Sequence, residues 1–371
     1  MPKPGIFTRR RSLAALGAVL ALLVPAAGRA DEATRQKVGR FFSGWYSVCP
    51  ANKVAVADDP EVRIPGYEAY KADRTCDLKN RNDANIALVD AAHREIFVGQ
   101  VLYDDSRKGR PFSPAADLPV IKGALEQEYG LPVGIATKGA PRGALVPIEV
   151  RLQQAPGALA TLRGFVSQDG ASLLLGEFFP LDVAPEVTRA KLLAEGAAPA
   201  AKKTLFTVTA FIDFQCERCR VRTPQIRDYA FSHGGSVETR FLPLVKIHEW
   251  SFAAAESAAA LRAIQPMLED NYERAVFAKA ASMNPQAARD TASDVAEAAG
   301  QKAAFEAEIA SGRARDRVIA DVDLALRLGI NGTPQFFFRG SWLTSEPDLV
   351  EHFIDARLAE PGGSSGKSSA R

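Results

Sequence analysis

The chain has 371 residues, 47% of them apolar and 24% charged, with a formal net charge of +2. That length accommodates two domains with hydrophobic cores of their own. So small a net charge gathers no polyanion, and no basic run is interleaved with aromatics, so nucleic acid is set aside as a partner.

Residues 1–30 read as an export signal rather than as part of a fold. Arg9, Arg10 and Arg11 form a positive start, Ser12 to Val24 an apolar stretch, and Gly28-Arg29-Ala30 a cleavage site ahead of Asp31. The apolar stretch is too short to cross a bilayer comfortably, which favours a cleaved signal over an uncleaved anchor. Arg10-Arg11-Ser12-Leu13 resembles a twin-arginine signal, so export before or after folding stays open. The expected location is the periplasm or the extracellular medium.

Residues 31–185 are expected to form an α+β domain, opened by a helix from Glu32 to Trp45. Two stretches within it share a pattern with identical spacing from valine to glycine to aspartate: Val89…Gly99…Asp105 and Val166…Gly176…Asp182. Each reads as strand, polar turn and strand, which suggests a duplicated hairpin. Between them, Asp117 to Tyr129 has helical apolar spacing and stops at Gly130, a C-cap residue. Residues 186–203, rich in Ala, Lys and Glu, read as a helical linker.

A second domain is expected over 204–360. Leu205 to Ile212 is β-branched and aromatic, a buried strand; Val237 to Leu244 is another. Ala253 to Ser311 reads as a helical module, Pro334 to Arg339 as a strand and Glu346 to Leu358 as a closing helix. Residues 361–371 are Gly/Ser-rich, a disordered tail. Trp45, Trp250 and Trp342 are expected as core or interface aromatics, His248 as a surface or helix-start histidine, with an approach to the site as its alternative, and the Arg313–Arg317 run as a solvated helix face.

The four cysteines split two and two. In an exported chain Cys49 and Cys76 are expected to form a structural disulfide, with a second redox pair or free thiols as the alternatives. Cys216-Glu217-Arg218-Cys219 follows the first strand of the second domain and opens a helix. Two cysteines three apart in a first helical turn bring their sulfurs within bonding reach. The unsatisfied N–H groups and positive dipole end of the helix stabilise a thiolate on the first of them. Cys216 is therefore the expected nucleophile and Cys219 the resolving thiol. Zinc would need about four ligands, and no second CxxC or histidine pair supplies them, so neither metal nor cofactor is expected.

Phe211-Ile212-Asp213-Phe214-Gln215-Cys216-Glu217-Arg218-Cys219-Arg220 and Asn331-Gly332-Thr333-Pro334-Gln335-Phe336-Phe337-Phe338 resemble the DsbA-like branch of the thioredoxin superfamily. The resemblance spans about residues 204–358. It implies an α/β thioredoxin-like fold with a helical insertion, here preceded by a separate α+β domain. It implies a thiol–disulfide oxidoreductase whose Pro334 is a cis-proline facing the sulfurs and whose Thr333 backbone pairs with a substrate strand. The implied partners are exported proteins bearing thiols or disulfides and a membrane redox partner protein, with a homodimer through the first domain as one arrangement. Oxidase, isomerase and reductase directions stay open, as does a binding protein or chaperone that uses the fold as a scaffold. The chain departs from the branch at Ala210, where the family buries an acidic residue; Asp213 is the neighbouring carboxylate.

Overall fold

A computed structural model of the chain describes residues 32–45, 53–76, 81–90, 94–103, 110–196, 204–343 and 346–359. The expected export signal, Cys49, the side chain of Cys76, His93 and the 361–371 tail lie outside the described residues. Two compact units result: Met1–Thr188 with Leu326–Gly329, and Arg189–Ala325 with Ile330–Arg371.

The first unit runs α1 (Glu32–Trp45), β1 (Lys53–Asp58), β2 (Glu68–Cys76), β3 (Arg81–Asp90), β4 (Glu95–Tyr103). The same order then repeats as α2 (Pro114–Tyr129), β5 (Val133–Thr137), β6 (Leu145–Ala155), β7 (Ala158–Ser167) and β8 (Ser172–Pro180). Helix α1 buries Val38, Phe41, Phe42 and Trp45, one stripe at helical spacing. Helix α2 starts three residues before the expected Asp117 because Pro114 is preset for the first turn, and the Asp117 carboxylate accepts the Ser113 N–H. It stops at Gly130, whose left-handed φ of 63° lets its N–H close on the Glu126 carbonyl.

The eight strands form one sheet in the order β1-β2-β3-β4-β8-β7-β6-β5, antiparallel throughout. The two expected hairpins are β3–β4 and β7–β8, and they meet at the sheet centre, where β4 pairs with β8. Gly99 faces Gly176 there, and Ile96↔Phe179 mirrors Leu102↔Leu173. Each residue of one hairpin lies 77 positions before its counterpart (99 to 176, 89 to 166), so a local two-fold axis passes through the glycine pair. The strands approach so closely that a Cβ on Gly99 would lie 2.1 Å from the Leu175 carbonyl oxygen, and one on Gly176 2.2 Å from that of Val98. Both faces of the sheet are covered. Leu173 and Leu175 join Ile121 and Leu125 of α2, whereas Leu174 joins Phe97, Val62 and Ile64, which is why that run shows no alternation.

The second unit comprises α3 (Pro185–Ala194) from Arg189 onward, then β9 (Thr207–Ile212), α4 (Glu217–Ser232) and β10 (Ser236–Phe241). Five helices follow: α5 (Ser251–Ile264), α6 (Pro266–Ala278), α7 (Pro285–Ala298), α8 (Lys302–Ala310) and α9 (Arg313–Arg327). The unit closes with β11 (Gln335–Phe338), β12 (Ser341–Leu343) and α10 (Pro347–Ala359). The sheet order is β10-β9-β11-β12, with β10 parallel to β9 and β11 antiparallel to both its neighbours. Helix α5 is buried from Ser251 to Leu261, its alanines letting α6, α7 and α8 pack close around it.

The Arg313–Arg317 run is more than a solvated face. Arg313 and Arg317 both pair with Glu308, and Arg315 reaches Glu256 at 3.1 Å. Both carboxylates are nearly inaccessible, and a buried charge is tolerated only when paired. Residues 186–203 likewise do more than link: Arg189 is fully buried and donates to the Gly340 carbonyl at 2.7 Å, while Arg240 donates to the Leu193 carbonyl at 3.0 Å.

Candidate functional site: a dithiol at a helix N-terminus

Strand β9 ends at Ile212, and four residues later Cys216 stands as the N-cap of α4, in extended conformation (φ −72°, ψ 116°). Cys219 follows one turn into the helix. Both cysteines are free thiols; Cys219 is inaccessible, and Cys216 is 8% exposed. Pro224 sits inside the same helix. From the other side of the sheet centre comes the residue pair before β11: the Thr333–Pro334 bond is cis, and the Cys216 sulfur lies 3.5 Å from the Thr333 carbonyl oxygen. The Thr333 hydroxyl is buried without a nitrogen or oxygen partner and is near both sulfurs.

These surroundings drive the two thiols apart in acidity. Cys216 is lowered to about 5, chiefly because the Cys219 thiol donates to its anion. Burial opposes that shift, while the Thr333 hydroxyl and the backbone N–H groups of Cys219 and Arg218 reinforce it. Cys219 is pushed well above the ordinary thiol range by burial, and further by the neighbouring Cys216. One sulfur is thus an anion at neutral pH and the other holds its proton, the pairing that nucleophile and resolver require. The dipeptide between them contributes little: Arg218 lies 3.5 Å from Glu346 and Glu217 lies 3.7 Å from Arg220, so each charge has an opposite partner in or near solvent.

Residues 197–356 match the family Thioredoxin_4, described as thioredoxin. The C-terminal domain belongs to the thioredoxin superfamily. This thioredoxin-like domain carries its helical insertion, α5 to α9, between β10 and β11. Among solved structures, the chain is similar to the thiol-disulfide exchange protein alpha-DsbA2 from Wolbachia pipientis, at 14% identity over 47% of this chain and 98% of that one, with a TM-score of 0.37. It is also similar to Proteus mirabilis ScsC in a transitional conformation (18% identity, 46% of this chain, 76% of that one, TM-score 0.37). A third likeness is to a thioredoxin-like oxidoreductase from Silicibacter pomeroyi (20% identity, 46% of this chain, 98% of that one, TM-score 0.37). No curated protein sequence matches the chain.

The thioredoxin-like domain brings Cys216, Cys219, Thr333 and Pro334 together across more than a hundred positions of sequence. Ala210 is fully buried in β9, so a methyl group occupies the place of the acidic residue. The Asp213 carboxylate is fully engaged elsewhere: it accepts the N–H groups of Gln215 and Leu244, each at 2.7 Å, and His248 Nδ1 at 2.8 Å. Sequence reasoning missed that partnership, although two polar residues at positions −3 and −1 from Cys216, amid Phe211, Ile212 and Phe214, were its visible sign. Glu346, which meets both Arg218 and Arg222, carried no such sign because its partners lie more than a hundred residues away. His248 does stand ahead of a helix: its carbonyl accepts the Ser251 hydroxyl at the start of α5. Trp45 and Trp250 are buried core aromatics. Among the described residues, no group of three or more His, Cys, Asp or Glu side chains is placed to hold a metal ion.

Proposed function

We propose that the chain is an exported thiol–disulfide oxidoreductase that exchanges disulfides with protein substrates through Cys216 and Cys219. The observation that carries this reading is the split acidity of the two sulfurs at the N-terminus of α4, with Cys216 lowered to about 5 and Cys219 raised. In the reducing direction the Cys216 thiolate attacks one sulfur of a substrate disulfide, which releases the other as a thiolate and leaves a mixed disulfide. Cys219 gives up its proton and attacks the Cys216 sulfur, which releases the second substrate thiolate. The substrate gains two electrons and the protein becomes the Cys216–Cys219 disulfide. In the oxidising direction a substrate thiolate attacks Cys216 of that disulfide, and every step reverses.

The lowered pKa of Cys216 favours the oxidising direction. A stabilised thiolate lowers the energy of the reduced protein and leaves readily when the disulfide opens. The Thr333 backbone beside Cys216 offers a short edge along which an extended substrate segment pairs. Export puts the site where thiols are held as disulfides, with a membrane redox protein to reoxidise it.

An insulin-reduction assay on the mature chain beside Cys216→Ser tests this. Turnover by the natural chain and none by the variant is the expected result. Equal behaviour of the two overturns it and leaves the thioredoxin-like domain as a binding scaffold.

A further inference from the structure

The CxxC motif does not itself hold the bend that presents it. Residues 213–215 leave the end of β9 and turn into α4, and their shape decides where both sulfurs stand. We propose that Asp213 and His248 are a positioning pair that fastens this bend to the β10–α5 connection and so keeps the two sulfurs in register for exchange.

Asp213 is 1% exposed, and a carboxylate removed from water is tolerated only when donors surround it. It has three. The Gln215 N–H comes from the bend itself, whereas the Leu244 N–H and His248 Nδ1 come from the connection that follows β10. The backbone of the same residue faces the cysteines: its carbonyl accepts the Cys216 N–H at 3.1 Å, and its N–H is directed at the Cys219 sulfur. One residue therefore touches the bend, the neighbouring connection and both members of the dithiol.

A second fastening runs in parallel, with the Gln215 side-chain oxygen accepting the Trp250 N–H at 3.0 Å at the head of α5. His248 is anchored in turn, since its carbonyl takes the Ser251 hydroxyl at 2.9 Å. To bond Asp213, the imidazole must carry a proton on Nδ1, as the neutral Nδ1–H tautomer and the imidazolium both do. Neither Asp213 nor His248 touches the reacting atoms through its side chain in any of these bonds. Their role is geometric, and small displacements of attacking groups slow reactions steeply.

This inference rests on the exchange function proposed above, so the experiment reads both separately. The full mature chain is compared with His248→Ala, His248→Asn and His248→Gln. The amide nitrogen of Asn falls where Nδ1 stands, whereas that of Gln reaches toward Nε2. Cys216 is titrated by its ultraviolet thiolate absorbance, and the rate at which Cys219 displaces thionitrobenzoate from Cys216 is followed after reaction with dithionitrobenzoate. His248→Ala and His248→Gln are expected to slow displacement about tenfold and to raise the Cys216 titration by about half a unit. His248→Asn should stay within about twofold of the natural chain, as a retained donor requires. A folded His248→Ala that matches the natural chain in both readouts overturns the proposal. If that variant does not fold, His248→Asn and His248→Gln decide: equal impairment of the two overturns it, and impairment of Gln alone supports it. If the natural chain fails to reduce insulin, the exchange function is what falls, and the Cys216 titration still reports on positioning.

Discussion

The two halves of this chain use close backbone approach for opposite ends. In the N-terminal unit β4 and β8 meet at Gly99 and Gly176, and the approach joins two copies of one α-β-β-β-β pattern into a single sheet. In the C-terminal unit the approach of the Thr333–Pro334 backbone to Cys216 leaves a buried, polar, chemically poised contact. The first is symmetric and self-satisfied; the second is asymmetric, with two like side chains driven to opposite protonation states. The comparison teaches that duplication builds a frame, while chemistry needs a place where equivalence is broken.

The sharpest break of that comparison is Cys219→Ser. It should abolish turnover, lowering it by about a thousandfold or more, and accumulate mixed disulfides at Cys216 that mass spectrometry detects. The folding of both units should be unchanged.

Gly99→Ala is the corresponding blow to the frame. Its Cβ would sit 2.1 Å from a backbone oxygen that has no room to yield. A loss on the order of 4 kcal/mol in the N-terminal transition is expected in denaturant unfolding, with the Cys216 titration unmoved. A shift in that titration would mean that the sheet reaches into the chemistry.

Phe214→Ala probes the core directly beneath the bend. Phe214 is 1% exposed, with ring centroids 5.8 Å from Phe241 and 5.7 Å from Tyr272. Its removal should cost about 3 kcal/mol or more in the C-terminal transition, measured by denaturant unfolding, and leave the N-terminal one in place.

A gentler probe is pH. Cys216 is lowered in the folded chain from an unfolded value of 9.0 to about 5. A depressed acid stabilises the fold above its unfolded value and loses that contribution as pH falls through its folded value. The reduced protein should therefore lose stability relative to the oxidised one as pH drops from 9 toward 5. Alkylation of Cys216 by iodoacetamide should show its midpoint near pH 5. A midpoint near the ordinary thiol value would remove the basis of the proposed function.

The smallest effect is expected at Arg218→Ala. Its side chain is 58% exposed and sits across from Glu346, so the Cys216 titration should move by less than about 0.5 unit. A larger move would transfer control of the thiolate from the Cys219 thiol, Thr333 and the backbone to the intervening dipeptide.

Much of this was legible in the residues themselves. Helix α1 was readable from the spacing of Val38, Phe41, Phe42 and Trp45, and α2 from Gly130 at its end. The strand–CxxC–helix order and the Gly332-Thr333-Pro334 stretch likewise mark a thioredoxin-like site without any coordinates. These are local signals: periodicity, capping and a two-cysteine spacing depend on neighbours within one or two turns. The hairpin duplication was visible only as a shared spacing, since strands carry short, weakly specific patterns; the matching helices and outer strands gave no further hint.

What only the tertiary structure decided is how distant residues change one another. The resemblance to a family set Thr333 and Pro334 beside the cysteines, but only the packed chain brings the Thr333 carbonyl to 3.5 Å from the Cys216 sulfur and picks Leu244 and His248 as the partners of Asp213. The Arg313–Arg317 run looked solvated because its carboxylate partners, Glu308 and Glu256, lie on other helices. Sequence alone determined which groups were available and which elements would carry them, because backbone preference and apolar periodicity act locally. The charge of a sulfur and the partner of a buried carboxylate depend on desolvation and on hydrogen bonds between remote segments, and those exist only once the chain has packed.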